Sequence, residues 1–149
     1  MKTTAIIGIG NEFRRDDGVG RFAARQLAKR AGDGIVVHES NGEALSLMEL
    51  WSEAATVILI DAAEATSDAG TVHRLDASED ALPSDFLHAS THTFSVAEAI
   101  EMARSLDRLP ETVIVYGIQV ADTGHGTGLT AEAEHGAQEA VERILQELP

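Results

Sequence analysis

The residues best suited to catalysis or metal binding are three acids and one histidine. They are Asp16, Asp17, Asp61 and His92. The first two lie in a Gly-rich loop at residues 8–18, and the other two occur much later in the chain. Carboxylate oxygens and imidazole nitrogens, without sulfur, are ligands that suit a borderline divalent ion such as zinc or nickel. The residue types therefore predict a metal-contacting site if the fold brings these side chains together.

Each of these residues also has an ordinary structural interpretation. Asp61 could cap a helix that begins at the next residue. Asp16 and Asp17 could form a solvated turn that favours the start of the following helix. His92 could be a helix cap or a surface histidine. Taken one at a time these alternatives stay open, and the position of each residue in the fold decides between them.

The elements that would position these residues alternate between strands and helices. Apolar, β-branched runs predict strands at 4–9, 35–38, 56–60, 71–75 and 112–120. Helical spacing of apolar residues predicts helices at 18–31, 43–54 and 95–107, and a last helix capped by Thr130. This order predicts a single α/β domain over residues 1–149. We expect a twisted, mostly parallel sheet of about five strands, with 71–75 at an edge and helices on both faces.

This topology indicates where the candidate residues meet. In open α/β sheets, functional sites form beyond the carboxyl ends of the strands. The loop with Asp17 follows the first strand, Glu39 follows the second, Asp61 follows the third, and His92 precedes the third helix. We therefore expect these side chains to line one edge of the sheet.

Composition excludes several classes of function. The chain has no cysteine, which rules out disulfides, thiolate metal sites and a cysteine nucleophile. Its net charge of -14 disfavours binding to nucleic acid. No apolar stretch is long enough to span a membrane, and the N-terminus does not resemble a signal peptide, so a cytoplasmic location is expected.

Familiar catalytic and nucleotide-binding motifs are also missing. The Gly8-Ile9-Gly10 segment lacks the third glycine of a dinucleotide fingerprint, because that position is Phe13. A P-loop lysine is absent too. Neither a Gly-x-Ser-x-Gly elbow nor a His-Glu-x-x-His helix occurs. A phosphate cradle and a zincin helix are therefore excluded, and nothing in the sequence marks a serine hydrolase.

Four segments taken together resemble the hydrogenase maturation endopeptidases. They are Gly8-Ile9-Gly10-Asn11, Asp16-Asp17-Gly18-Val19-Gly20, Leu59-Ile60-Asp61-Ala62 and Ser90-Thr91-His92, in the family's order and spacing. The resemblance covers nearly the whole chain. It implies an endopeptidase that removes a C-terminal peptide from the large-subunit precursor of a nickel-iron hydrogenase, after nickel has been inserted.

The resemblance also implies roles for individual residues. The family's three metal-contacting positions fall on Asp17, Asp61 and His92, and the metal is nickel carried by the precursor, with no organic cofactor. The first acid is Glu in some members, so Asp17 has a shorter reach. Asp16 is expected to orient the loop or act as a base. Where many relatives have Asp-Gly-Gly after the second strand, this chain has an acid at Glu39 but not both glycines, and we expect Glu39 to help select the hydrogenase.

Two alternatives stay open at the level of sequence. The chain could be a nickel-binding accessory protein that does not cut the precursor, because no residue identifies the nucleophile. It could also be a small hydrolase of another substrate on the same fold. The expected partner is the hydrogenase large-subunit precursor, with no nucleic acid and no membrane, and the expected oligomeric state is a monomer.

Overall fold

Five strands form one sheet in the computed structural model, which describes residues 3–64, 67–82 and 96–148. The strands are β1 (Thr4–Ile9), β2 (Ile35–Ser40), β3 (Thr56–Ala63), β4 (Val72–Asp76) and β5 (Thr112–Gln119). Their order across the sheet is β2-β1-β3-β5-β4. All neighbouring pairs are parallel except β4 with β5, which is antiparallel. The predicted mostly parallel sheet and the predicted edge strand are both confirmed.

The three inner strands are buried on both faces. All six residues of β1 are buried, and seven of the eight residues in β3 and in β5 are buried as well. Continuous apolar runs are typical of such strands, because helices cover both sides of a parallel sheet. The edge strand β2 differs, since Val36 and Glu39 on it are exposed.

Helices cover both faces of the sheet, as predicted. They are α1 (Val19–Ala28), α2 (Ala44–Leu50), α3 (Val96–Ser105) and α4 (Ala131–Glu147), and a 3-10 turn at Arg15–Gly18 precedes α1. α1 and α4 pack on one face, and α2 and α3 pack on the other. The predicted cap of the last helix is confirmed, because Thr130 Oγ1 accepts a hydrogen bond from the backbone N–H of Ala133. Within the described ranges, no helix is both long and apolar enough to cross a membrane.

Two strands are longer than the sequence predicted, and this changes the place of two candidate residues. β2 continues to Ser40 because its hydrogen-bonded register with β1 extends to Ile9, so Glu39 lies within the strand. β3 continues to Ala63 because it pairs with β5 as far as Gln119. Asp61 is therefore a strand residue, and the alternative that it caps a helix is wrong.

Glycines bring the start of α1 into direct contact with the sheet. A Cβ atom at Gly20 would overlap backbone oxygens of Ile60 and Ile9, and one at Gly8 would overlap the backbone of Gly20. Only glycine permits so close an approach of helix and strand. This packing holds the first turn of α1, and the loop before it, at the carboxyl ends of β1 and β3.

Candidate functional site

The loop between β1 and α1 has a defined shape. It begins at Gly10, whose φ of +145° favours glycine and where a Cβ would overlap the carbonyl of Asp17. Asn11 braces the next turn, because its Oδ1 accepts from the Phe13 N–H at 2.9 Å. The backbone of Arg15 then donates to the carbonyl of Gly126 at 3.0 Å. The loop is therefore tied to the segment between β5 and α4.

Asp16 is buried, and its carboxylate holds these two segments together. Its Oδ2 accepts from the backbone N–H groups of Ala121 and Asp122 at 2.9 and 3.1 Å, and from Thr130 Oγ1 at 2.8 Å. Its Oδ1 accepts from the Thr130 N–H at 2.7 Å. With both oxygens bonded, the contacts of Asp16 favour loop positioning over action as a base.

Asp17 is equally buried, but its hydrogen bonding is incomplete. Its Oδ2 accepts from the Asn11 N–H at 3.0 Å, whereas its Oδ1 has no hydrogen-bond partner among the residues that the structure describes. Burial raises the pKa of Asp17, and the bond from Asn11 and the charge of Arg14 oppose that rise. A buried carboxylate oxygen without a partner is uncommon in folded proteins. One lone-pair-bearing atom of Asp17 is therefore not used by any described residue.

Asp61 on β3 lies close enough to Asp17 for their charges to interact. It is 3% exposed, and its Oδ1 accepts from the Ala62 N–H at 2.8 Å. Burial raises the pKa of Asp61 well above its usual range, the bond from Ala62 opposes this, and the charge of Asp17 adds to the rise. The structure thus brings two of the predicted ligands together at the carboxyl edge of the sheet.

Glu39 is engaged elsewhere. It pairs in register with Gly8, and its carboxylate forms a two-pronged contact with Arg25 of α1, at 2.8 Å from Nη2 and 3.0 Å from Nε. Arg21 lies 3.4 Å from the same carboxylate. The hydrogen bonds from Arg25 lower the pKa of Glu39. Its side chain therefore faces α1, and a role in selecting the hydrogenase stays a prediction.

His92 lies outside the residues that the structure describes, and so do Ser90 and Thr91. Within the described ranges, no three His, Asp or Glu side chains are grouped closely enough to hold a metal ion. The assignment of His92 as the third metal-contacting residue accordingly stays a prediction.

One residue of this edge was given no role by the sequence. Gln119 ends β5 and is 6% exposed, and no described part of the chain supplies a hydrogen-bond partner for its side-chain oxygen. The available signal was a polar residue that closes an apolar strand at the carboxyl edge of the sheet.

Comparisons with known proteins point to one family. The model of the hydrogenase maturation protease family HycI matches residues 26–147. A NiFe hydrogenase maturation protease HybD from Thermococcus kodakarensis shares 26% identity over 97% of both chains, with a TM-score of 0.79. No curated protein matches the sequence.

Two further solved structures show the same fold. The hydrogenase maturating endopeptidase HybD from E. coli is 18% identical over 97% of this chain and 90% of its own, with a TM-score of 0.79. A hydrogenase 2 maturation peptidase from a Thaumarchaeota archaeon is 19% identical over 97% of both chains, with a TM-score of 0.71.

Proposed function

The chain belongs to the hydrogenase maturation protease family, and from that premise we propose that it cleaves the nickel-loaded large-subunit precursor of a nickel-iron hydrogenase and releases its C-terminal peptide. In this proposal the nickel belongs to the substrate. Asp17, Asp61 and His92 contact it, and through this contact the enzyme recognises the precursor that is ready for processing.

The observation that best supports this role is the buried pair of carboxyl groups. Asp17 and Asp61 lie at one edge of the sheet, burial raises both pKa values, and one oxygen of Asp17 has no partner within the described ranges. Among the described residues neither acid forms an ion pair. Burying charge without a partner is unfavourable, and a divalent cation between two carboxylates relieves that cost. Oxygen ligands completed by an imidazole suit nickel.

Other residues of the chain prepare the site for its substrate. Asp16 ties the loop to the start of α4, and the Asn11 N–H orients the Asp17 carboxylate. Held in this way, Asp17 loses little conformational freedom when it meets a metal. A nickel ion in contact with these residues could also polarise the scissile carbonyl or activate water.

The experiment is cleavage of purified precursor, loaded with nickel or free of it, followed by mass spectrometry. The wild-type chain is expected to release a C-terminal peptide from the nickel-loaded form only. Asp17→Asn and Asp61→Asn keep the side-chain shape but weaken the ligand, and each should slow cleavage by at least about 10-fold, since even the residues that orient metal ligands contribute about 10- to 100-fold.

The control is Asp33→Asn, which removes an exposed acid in the turn between α1 and β2. It should cleave at the wild-type rate. Near-wild-type cleavage by Asp17→Asn would refute the ligand assignment. A precursor that binds nickel and the chain but keeps its full mass would favour the accessory-protein alternative.

A further inference from the structure

The side-chain amide of Gln119 forms one hydrogen bond through its nitrogen, and its oxygen is not used by any described residue. Its Nε2 donates to the carbonyl of Val120 at 3.2 Å, and its Oε1 has no hydrogen-bond partner among residues 3–64, 67–82 and 96–148, although Gln119 is only 6% exposed. Because only the amide nitrogen can donate to a carbonyl, this contact identifies the free atom as the oxygen. Buried polar atoms are almost always paired, so an orphan of this kind calls for an explanation.

Gln119 lies beside Asp61 on the same face of the sheet. It pairs in register with Ala63, two residues beyond Asp61 on the neighbouring strand. Side chains alternate along a strand, and Ala63 and Val115 both pack in the cluster beneath α2 and α3. Asp61 and Gln119 therefore share that face, at the carboxyl ends of β3 and β5.

The backbone of Gln119 is held firmly. Its N–H donates to the carbonyl of Thr71, and its carbonyl accepts from the N–H of Gly70, each at 2.9 Å. With the backbone bonded on both sides and Nε2 engaged, Oε1 has a set position. It can only accept a hydrogen bond, so its partner must be an N–H or O–H group.

We propose that Gln119 is a positioning residue, whose Oε1 accepts a hydrogen bond from a backbone N–H of the precursor's cleavage segment and aligns that segment beside Asp61. A main-chain N–H is the donor that every peptide substrate supplies, and such contacts position an extended segment at a strand end. This inference rests on the proposed function, because it requires that the precursor is the substrate.

The first test is Gln119→Met in the full chain, assayed on nickel-loaded precursor with kcat and KM measured separately. Methionine keeps the length of the side chain and removes the acceptor, together with the Nε2 donor that bonds the carbonyl of Val120. The value of kcat/KM should fall by about 5- to 100-fold, since the bound N–H is left without a partner. Gln138→Met, at an exposed position on α4, is the matched control and should behave as the wild type.

The second test needs no enzyme variant and identifies the donor. Each backbone N–H of the cleavage segment is replaced in turn by an ester oxygen in a semisynthetic precursor. With the wild-type enzyme, one ester should lower kcat/KM by about the same factor as Gln119→Met, and the two changes together should cost no more than either alone.

The outcomes separate this inference from the proposed function. If the wild-type chain leaves the all-amide, nickel-loaded precursor intact, the proposed function fails. If it cleaves that precursor but no ester slows it, or if ester and Gln119→Met effects multiply, the hydrogen bond is overturned. A loss of activity in Gln119→Met that matches a loss of folded protein, without any ester effect, would leave Gln119 a structural residue only.

Discussion

Replacing Asp16 with asparagine is expected to destabilise the fold, whereas the same change at Asp17 should leave it intact. The two acids are adjacent and fully buried, so they form a matched pair. They differ in their contacts, since both oxygens of Asp16 are bonded, whereas one oxygen of Asp17 has no partner in the described part of the chain.

The size of the effect at Asp16 follows from its four hydrogen bonds. Asparagine has one acceptor oxygen, and its best orientation keeps the three bonds at the Oδ2 position. Its NH₂ group then faces the N–H of Thr130. In the wild type the nitrogen of Thr130 lies 2.7 Å from Oδ1 of Asp16. A lost charge-assisted bond plus an unsatisfied donor costs about 2–4 kcal/mol of unfolding free energy. That corresponds to a fall in Tm of roughly 5–15 °C for a domain of this size.

At Asp17 the same substitution loses no hydrogen bond to a described residue. The asparagine oxygen can keep the bond from the Asn11 N–H, and the NH₂ group takes the place of the oxygen without a partner. Because burial raises the pKa of Asp17, a neutral side chain is also less costly there at pH 7. The unfolding free energy should stay within about 0.5 kcal/mol of the wild type or rise.

Urea unfolding at pH 7, followed by circular dichroism, measures both variants against the wild type. Each variant removes one negative charge, so changes in net charge cancel in the comparison. The reasoning is refuted if Asp16→Asn loses less than about 0.5 kcal/mol, or if Asp17→Asn loses as much as Asp16→Asn.

Three further predictions concern the packing and the charges around the site. Gly20→Ala should cost more than about 3 kcal/mol in urea unfolding because its Cβ overlaps the backbone of β1 and β3, whereas Gly32→Ala, with open space around it, should stay within about 0.5 kcal/mol. Glu39→Gln should cost at most about 1 kcal/mol at pH 7, since the contact with Arg25 is partly exposed. The pKa of Glu39 is lowered in the fold, so this contribution is present above pH 4.5 and should disappear in unfolding curves measured at lower pH. Asp61→Asn should raise the unfolding free energy at pH 7 by about 0.5–2 kcal/mol. Because burial raises the pKa of Asp61, the wild-type carboxyl becomes neutral in the fold as the pH falls, and the gain should shrink towards pH 3.8. An unchanged or lower stability of the variant at pH 7 contradicts this prediction.

Much of the fold could be predicted from the sequence because its signals are local. The apolar runs that form β1, β3 and β5 are visible residue by residue, and so is the threonine that caps α4. The ends of the strands were harder, because pairing with a neighbour decides them. β3 continues past Asp61 as far as β5 accompanies it, and no local pattern records that register.

The details of the site depend on contacts that are distant in sequence. Asp16 and Asp17 look alike in the sequence, and they differ only because Asp16 meets Ala121, Asp122 and Thr130, more than 100 residues later. Gln119 could be placed at the end of β5 but was given no role for the same reason, since its burial and the oxygen that no described residue contacts follow from the packing of the whole edge.

The charges near the loop explain why this edge stays acidic. Arg21 donates to the carbonyl of Gly10 at 2.6 Å, and Arg25 is held between Glu39 and Glu12. In the described part of the chain these guanidinium groups brace the loop and the neighbouring strand, and neither pairs with Asp17. If the stability of the fold depended on neutralising this edge, Arg21 and Arg25 are near enough to do so. Both guanidinium groups form other contacts instead. The buried acids lower the stability of the fold, and this cost is understandable if a cation arrives with the substrate. Asp61→Asn is therefore expected to gain stability and to lose cleavage activity together.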